Sequence, residues 1–382
     1  MTTQVRTVLL AGGGTGGHIF PNVAVLERLH ERHAPVYPHF VVSNRPLDAE
    51  VVRKAGYDFT ALPGIGLAVG RPWTWLRFWK LYQASIAAAG QLIAQTQAAA
   101  MVATGGFVSA PAVEAARRAG VPVAVVNLDA VPGKANRMMA KKATDVFSCY
   151  PCAELSTATR IGLPLRRASV APPGVSPAEA RQQLGLDADR PTILVTAGSQ
   201  GATTINQMMM DLVSRPRARH ALAGWQMLHL SGAGEREAVA KAYADAKVPA
   251  RVEAFCNAMG LAWRAATIAV SRAGAGSVAE VWANAVPTLF FPYPFHRDQH
   301  QRLNAQPLID AGAGIMLTDH VEPVPNVAEL MGPLLALMSN DAQRASMVEI
   351  LRTKAPDDGA TAIAAWVHTA IGGGFGRGRR TG

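Results

Sequence analysis

Two periodicities alternate along this chain. Short, uninterrupted apolar runs are followed by longer stretches in which apolar residues recur every three or four positions. Residues 5–11 and 36–42 read as strands, with apolar positions at Val23, Ala24, Leu26 and Leu29 marking a helix between them. Residues 59–62, 101–104, 121–126 and 145–149 continue the strand series, and 112–119 reads as a helix of small residues. Residues 161–177, rich in Pro and Gly, read as a linker. The pattern then restarts with strands at 192–196, 226–231, 251–254, 268–271 and 289–292, a helix at 202–213, a helix opened by 272–280, and two terminal helices within 341–371. Strand–helix alternation of this kind predicts α/β architecture with parallel sheets and right-handed crossovers. The expected domains are 1–165 and 166–345, followed by a C-terminal helical segment at 346–371 and a basic tail at 372–382.

Both halves open in the same way. Val8–Ala11 leads into Gly12-Gly13-Gly14-Thr15-Gly16-Gly17-His18, and Thr192–Thr196 leads into Gly198-Ser199-Gln200-Gly201, each ahead of a helix. A glycine loop at a helix start lets backbone N–H groups approach an anion where the helix dipole favours it. The spacing is neither the usual dinucleotide fingerprint nor a P-loop, which needs a Lys-Ser/Thr pair. Thr15 and His18 add a hydroxyl and an imidazole, groups suited to phosphate contact and proton transfer. Gly105-Gly106 repeats the theme, and the polar segment Asn127–Arg137 follows a strand end, where open α/β sheets place ligands. Glu280, just beyond the glycine-rich Arg272–Ser277, is a candidate for the two hydroxyls of a ribose or for a solvated helix face.

With 382 residues, 49% hydrophobic and 17% charged, the chain reads as globular and long enough for two domains. A net charge of +10 admits nucleic acid, anionic lipid or a phosphorylated substrate as an acidic partner, or simply a basic surface; with the motifs below added, no nucleic-acid partner is expected. No apolar run reaches the roughly 18 residues of a membrane span, and no signal peptide is read at the start. Residues 67–82 mix Trp73, Trp75, Phe78 and Trp79 with Arg71, Arg77 and Lys80, the composition of a membrane-surface contact or of a buried helix start rimmed by cations. Cys149 and Cys152 have C-x-x-C spacing without a second pair, and His296 and His300 are four apart without a third ligand, so no metal and no cofactor is expected.

Taken together, residues 12–21 (Gly-Gly-Gly-Thr-Gly-Gly-His-Ile-Phe-Pro), 105–111 (Gly-Gly-Phe-Val-Ser-Ala-Pro), 198–202 (Gly-Ser-Gln-Gly-Ala), 272–280 (Arg-Ala-Gly-Ala-Gly-Ser-Val-Ala-Glu) and 298–305 (Asp-Gln-His-Gln-Arg-Leu-Asn-Ala) resemble the MurG family, glycosyltransferase family 28. The motifs run in register from about residue 5 to residue 320. The resemblance implies a GT-B fold, with two Rossmann-like domains facing a cleft and a C-terminal helix returning to the first. It implies inverting, metal-free transfer of N-acetylglucosamine from UDP-N-acetylglucosamine to lipid I, forming lipid II at the cytoplasmic face of the inner membrane. Partners among the cell-wall synthesis proteins are compatible with that role. By position, Thr15, Gly16 and Gly17 would line the diphosphate and sugar, and Ser199 would hold a phosphate. Ala275, Gly276, Ser277, Val278 and Ala279 would hold the nucleotide, with Glu280 on the ribose and Cys256 near the uracil. His300 and Gln301 would reach the sugar, and Arg166 would contact the donor.

The chain departs from the family at two places. Val126-Asn127-Leu128-Asp129 stands where the family has His-Glu-Gln-Asn, and Leu163 stands before Pro164 where it has Asn. An acid at 129 gives two candidate bases for the acceptor hydroxyl, His18 and Asp129. It also keeps open a related GT-B transferase with another acceptor, and a non-catalytic nucleotide-sugar binding protein.

Overall fold

The computed structural model describes residues 5–14, 16–63, 73–196 and 203–373. Thr15, the stretch 64–72, the second glycine loop with Ser199, and the tail beyond Gly373 lie outside the described residues. The chain divides into two compact units, Met1–Arg166 together with Asp357–Gly382, and Arg167–Pro356.

In the first unit, β1 (Arg6–Gly12), β2 (Val36–Ser43), β3 (Asp58–Leu62), β4 (Ala100–Gly105), β5 (Val123–Asn127), β6 (Asp145–Ser148) and β7 (Thr159–Arg160) form one sheet in the order β3-β2-β1-β4-β5-β6-β7. Every pairing is parallel. The crossovers carry α1 (Gly16–Glu31), α2 (Pro46–Lys54), α3 (Trp73–Thr96), α4 (Ser109–Arg118) and α5 (Lys134–Ala140). Val8, Leu9, Leu10 and Ala11 are wholly buried, because helices cover both faces of the sheet. That is why these strands read as continuous apolar runs rather than alternating ones.

The second unit repeats the plan with β8 (Thr192–Thr196), β9 (Gln226–Leu230), β10 (Ala250–Glu253), β11 (Ile268–Ser271), β12 (Thr288–Phe290) and β13 (Gly314–Met316), ordered β10-β9-β8-β11-β12-β13 and again parallel. Its helices are α6 (Pro177–Gln183), α7 (Thr203–Ser214), α8 (Pro216–Ala221), α9 (Arg236–Asp245), α10 (Met259–Ala265), α11 (Ala275–Asn284), α12 (His300–Asp310), α13 (Pro323–Ser339) and α14 (Asp341–Thr353). Ile193 and Val195 belong to one core with Met208 and Leu330, whereas Leu194 belongs to the core of the opposite face with Trp263 and Phe290. The period of two places successive side chains on opposite faces.

The terminal segment is two helices, and they divide between the units. α14 lies in the second unit, and α15 (Gly359–Ile371) lies in the first, packed on α1. Buried Arg28 of α1 holds this return, donating from Nε to Asp358 Oδ2 at 2.7 Å and from Nη2 to the Leu165 carbonyl at 2.9 Å. Asp358 also caps α15, accepting from the Ala360 amide at 3.1 Å.

Several boundaries differ from the sequence reading for identifiable reasons. α4 begins at Ser109 rather than residue 112. β12 stops at Phe290 because Pro292 lacks an amide to continue the ladder. Arg272, Ala273 and the extended Gly274 separate β11 from α11, which starts at Ala275. α13 was not read from the sequence: Pro323 opens it and Pro333 lies inside it, and both prolines mimic loop punctuation.

His229 on β9 shows how polar groups are accommodated in the second core. It is fully buried, with Nδ1 3.0 Å from the Tyr243 hydroxyl and Nε2 2.9 Å from Asn206 Oδ1. The Asn206 amide nitrogen donates to the Ser231 carbonyl and Glu235, so its oxygen is left to accept and His229 carries its proton on Nε2. Burial pushes this imidazole down to about 3. The folded state therefore stays neutral while the unfolded chain takes up a proton below its ordinary pKa of about 6.5, and stability falls with falling pH across that interval. We expect His229→Gln to remove up to about 1.4 kcal/mol per pH unit of that slope between pH 6 and 4, read from denaturant unfolding at several pH values.

Candidate functional site

Each sheet reverses its strand order once near its centre, between β1 and β4 in the first unit and between β8 and β11 in the second. The carboxyl ends of strands at such a switch point are where open α/β sheets bind ligands. Among the described residues, Gly12–Gly14 follow β1, Gly105-Gly106 close β4, and Gly274 and Gly276 follow β11 at these places.

In the first unit the β1–β4 register slips between Ala11 and Gly12, bringing Gly12 opposite Gly105. The two glycine turns then meet without room for side chains. A Cβ on Gly106, whose φ is +83°, would stand 2.1 Å from the Gly13 carbonyl oxygen. One on Gly105, with φ +120°, would stand 3.0 Å from His18 Nδ1 and Cε1. The His18 ring therefore lies directly on the Gly105 backbone.

Thr104, the residue before the paired glycines, binds His18 twice. Its carbonyl is 3.1 Å from His18 Nδ1, and its hydroxyl donates to the His18 carbonyl at 2.5 Å. A carbonyl can only accept, so Nδ1 carries the hydrogen and Nε2 keeps its lone pair. Burial lowers the imidazole pKa below 6.5, partly opposed by the charge of Asp129, the Thr104 hydrogen bond and Asp48. The result is a neutral imidazole at physiological pH with a defined basic nitrogen.

The first loop is braced from the β2–α2 connection. The Gly14 amide donates to Asp48 Oδ2 at 2.7 Å, and Arg45 Nη1 donates to the Gly14 carbonyl at 2.6 Å. The Gly14 N–H is thus spent on the protein rather than presented to an anion. Gly16 and Gly17 form the first turn of α1, and the Arg166 guanidinium lies 3.9 Å from the ring centroid of Phe20, one turn further along. Beyond β5, Asn136 donates to Asn127 Oδ1 at 3.2 Å, and Asn127 donates to the Asp129 carbonyl at 2.8 Å. The first unit therefore gathers Gly16, Gly17, His18 and Asp129 with Thr104, Asn127 and Asn136. Asn127 and Asn136 fall within the polar segment 127–137 read from the sequence as a ligand position, whereas Thr104 was given no role there. For Thr104, a hydroxyl residue ending an apolar strand before two glycines was a usable signal.

In the second unit, Arg272, just beyond β11, sits in a buried network. It donates to Asp319 Oδ2 at 2.6 Å, to Thr204 Oγ1 at 2.5 Å and to the Phe291 carbonyl at 2.8 Å. It thereby ties the start of α7 to the strand ends around the switch point. Among the described residues no side chain caps α11, whose first turn is Ala275, Gly276, Ser277 and Val278, and none lies within 4 Å of a Cβ built on Gly274 or Gly276. Ala279 and Glu280 follow in the next turn, and Glu280 Oε2 accepts from Trp263 Nε1 at 2.9 Å. Cys256 is half-buried; burial raises its thiol, and the Glu280 charge adds to that. His300 and Gln301 open α12: His300 Nδ1 is 2.8 Å from Asp298 Oδ1, and Gln301 Oε1 accepts from the Tyr293 amide at 2.9 Å. Burial would raise the Asp298 carboxyl, but its bonds to His300 hold it below the ordinary range. Among the described residues no three His, Cys, Asp or Glu side chains group as metal ligands.

The Glycosyltransferase family 28 N-terminal domain matches residues 8–148, and the Glycosyltransferase family 28 C-terminal domain matches residues 192–361. A UDP-N-acetylglucosamine--N-acetylmuramyl-(pentapeptide) pyrophosphoryl-undecaprenol N-acetylglucosamine transferase from Clavibacter sepedonicus is 35% identical over 368 residues, 95% of this chain and 96% of that protein. One of the same name from a Nocardioides species is 36% identical over 338 residues, 88% of this chain and 90% of that protein. A crystal structure of Acinetobacter baumannii MurG superposes with a TM-score of 0.70 at 23% identity, covering 95% of this chain and 99% of that one. The architecture is that of the GT-B glycosyltransferases.

The glycine contact can be tested against a glycine of similar backbone. Gly120 also has positive φ, at +69°, but faces open space. Gly106→Ala should destabilise the protein by about 2–4 kcal/mol, against about 1 kcal/mol for Gly120→Ala, in parallel denaturant melts.

Proposed function

Because the chain belongs to glycosyltransferase family 28 and, within it, to the MurG-type transferases, we infer that it moves N-acetylglucosamine from UDP-N-acetylglucosamine to the 4-hydroxyl of the N-acetylmuramoyl unit of lipid I, releasing UDP and forming lipid II. The observation that carries this reading is 35% identity to a transferase of that name across 95% of the chain.

The transfer makes a bond from the acceptor O4 to the anomeric carbon, with inversion, and breaks the bond from that carbon to the diphosphate oxygen. The acceptor proton needs a base, and the departing diphosphate needs hydrogen-bond donors. His18 takes the proton at Nε2, because Thr104 occupies Nδ1. Asp129, whose charge raises the His18 imidazole, favours the imidazolium that forms. The uncapped amides of α11, together with Gly16 and Gly17 at the start of α1, are donors for the diphosphate. Glu280 accepts from the ribose, Cys256 lies toward the uracil, and His300, Gln301 and Arg166 address the donor. Thr15 and Ser199 enter on their motifs alone.

The acceptor carries a lipid chain, so the protein meets a membrane surface. No helix among the described residues is long and apolar enough to cross one. On α3, Leu76 and Trp79 are 67% and 57% exposed beside exposed Arg77 and Lys80. An apolar and cationic strip of this kind suits the anionic headgroup region on the cytoplasmic side.

His18→Ala should lower turnover roughly 10²-fold or more in a lipid II synthesis assay with UDP-N-acetylglucosamine and lipid I. Asp129→Asn should retain most activity but shift the acid limb of the pH–rate profile to lower pH, since it removes a charge that raises the imidazole. Near-normal turnover in His18→Ala with collapse in Asp129→Asn would make Asp129 the base. Lipid II formation by neither the wild-type protein nor its variants, with donor binding intact, would favour a different acceptor. Leu76→Ala with Trp79→Ala should reduce co-sedimentation with anionic vesicles; unchanged sedimentation would remove α3 from the contact.

A further inference from the structure

We propose that Trp263 is a positioning residue for donor recognition, its indole N–H fixing Glu280 in the orientation that reads the ribose hydroxyls. The proposal rests on Glu280 being the ribose acceptor.

Trp263 is 1% exposed, and a buried indole N–H must find an acceptor. It finds Glu280 Oε2 at 2.9 Å. If Glu280 swung away, the N–H would be orphaned in the core, a penalty that suppresses the alternative rotamers by about tenfold or more. The indole thus biases the carboxylate rotamer through a neutral donor, and a carboxylate oxygen that accepts one hydrogen bond can still accept another from a ligand hydroxyl.

The separation between the two side chains is fixed by backbone. Trp263 lies on α10, where a Cβ on Gly260 would stand 2.1 Å from the Val170 carbonyl oxygen, so helix and linker are in direct contact. Glu280 lies on α11, whose last residue grips the same stretch of linker. Asn284 donates to the Ser169 carbonyl at 3.0 Å and accepts from the Ala171 amide at 2.7 Å. Asn284 also donates to the Glu280 carbonyl at 2.7 Å. Both helices are therefore pinned to residues 169–171, and the Trp263–Glu280 bond closes the frame at its other end. Trp263 touches no substrate in this arrangement; it acts through Glu280.

The test compares binding of UDP and 2′-deoxy-UDP by calorimetry. Wild-type protein should prefer UDP, and Glu280→Ala should abolish the preference. Trp263→Phe, which keeps an aromatic ring but removes the N–H, should cut the preference about fivefold or more while leaving affinity for 2′-deoxy-UDP within about twofold. KM for UDP-N-acetylglucosamine should rise with kcat nearly unchanged. If Trp263→Phe weakens both nucleotides equally, Trp263 is only a packing residue and the proposal is overturned. If wild-type protein shows no preference, or Glu280→Ala keeps it, the reading of Glu280 fails and the proposal goes with it. Should Trp263→Phe not fold, 3-benzothienylalanine at position 263 replaces the N–H by sulfur at nearly constant shape, and the same ratio decides.

Discussion

The paired hydrogen bonds between Thr104 and His18 govern the first unit. One residue ends β4 and the other lies in the opening turn of α1, and they are joined both through the imidazole and through the His18 carbonyl. This double contact is possible only because the neighbouring backbone carries no side chains. Gly105 lies under the imidazole, and Gly106 lies against Gly13. The glycines are a packing requirement before they are an anion site. Their arrangement fixes a tautomer, and burial keeps that tautomer neutral. A basic nitrogen of defined position thus follows from close backbone approach at a sheet's switch point.

The second unit reaches a similar end by other means. Its switch point is held by a buried ion pair, Arg272 with Asp319, which also takes in Thr204 and the Phe291 carbonyl. Removing one partner of such a pair would leave an uncompensated buried charge, so the network acts as a constraint on three chain segments at once. Beside it, α10 and α11 are fastened to one stretch of linker, and Trp263 meets Glu280 across them. One unit holds a titratable base and the other holds a carboxylate and an uncapped helix start.

Much of this was legible in the sequence because the strands are buried on both faces. Val8–Ala11 and Ile193–Val195 are apolar without interruption, and each ends in glycines, so strand, turn and helix could be read directly. His18 near the start of α1, Asp129 just beyond β5 and Glu280 within α11 were visible as chemistry-bearing residues. What could not be read was long-range pairing. Nothing near Asp48 announces that it takes the Gly14 amide, and nothing near Asp319 announces Arg272, 47 residues away. No motif around Trp263 marks its N–H as a partner of Glu280, 17 residues on. The return of α15 to the first unit is held by Arg28 and Asp358, 330 positions apart. α13 was hidden by its own prolines.

The most direct test of the account is the protonation of the His18 ring, read in a two-bond proton–nitrogen correlation spectrum of imidazole-labelled protein near neutral pH, with His18→Gln assigning the signals. The account predicts a neutral ring with the hydrogen on Nδ1 and a bare Nε2. A ring protonated on Nε2 alone, or a full imidazolium at that pH, would contradict it.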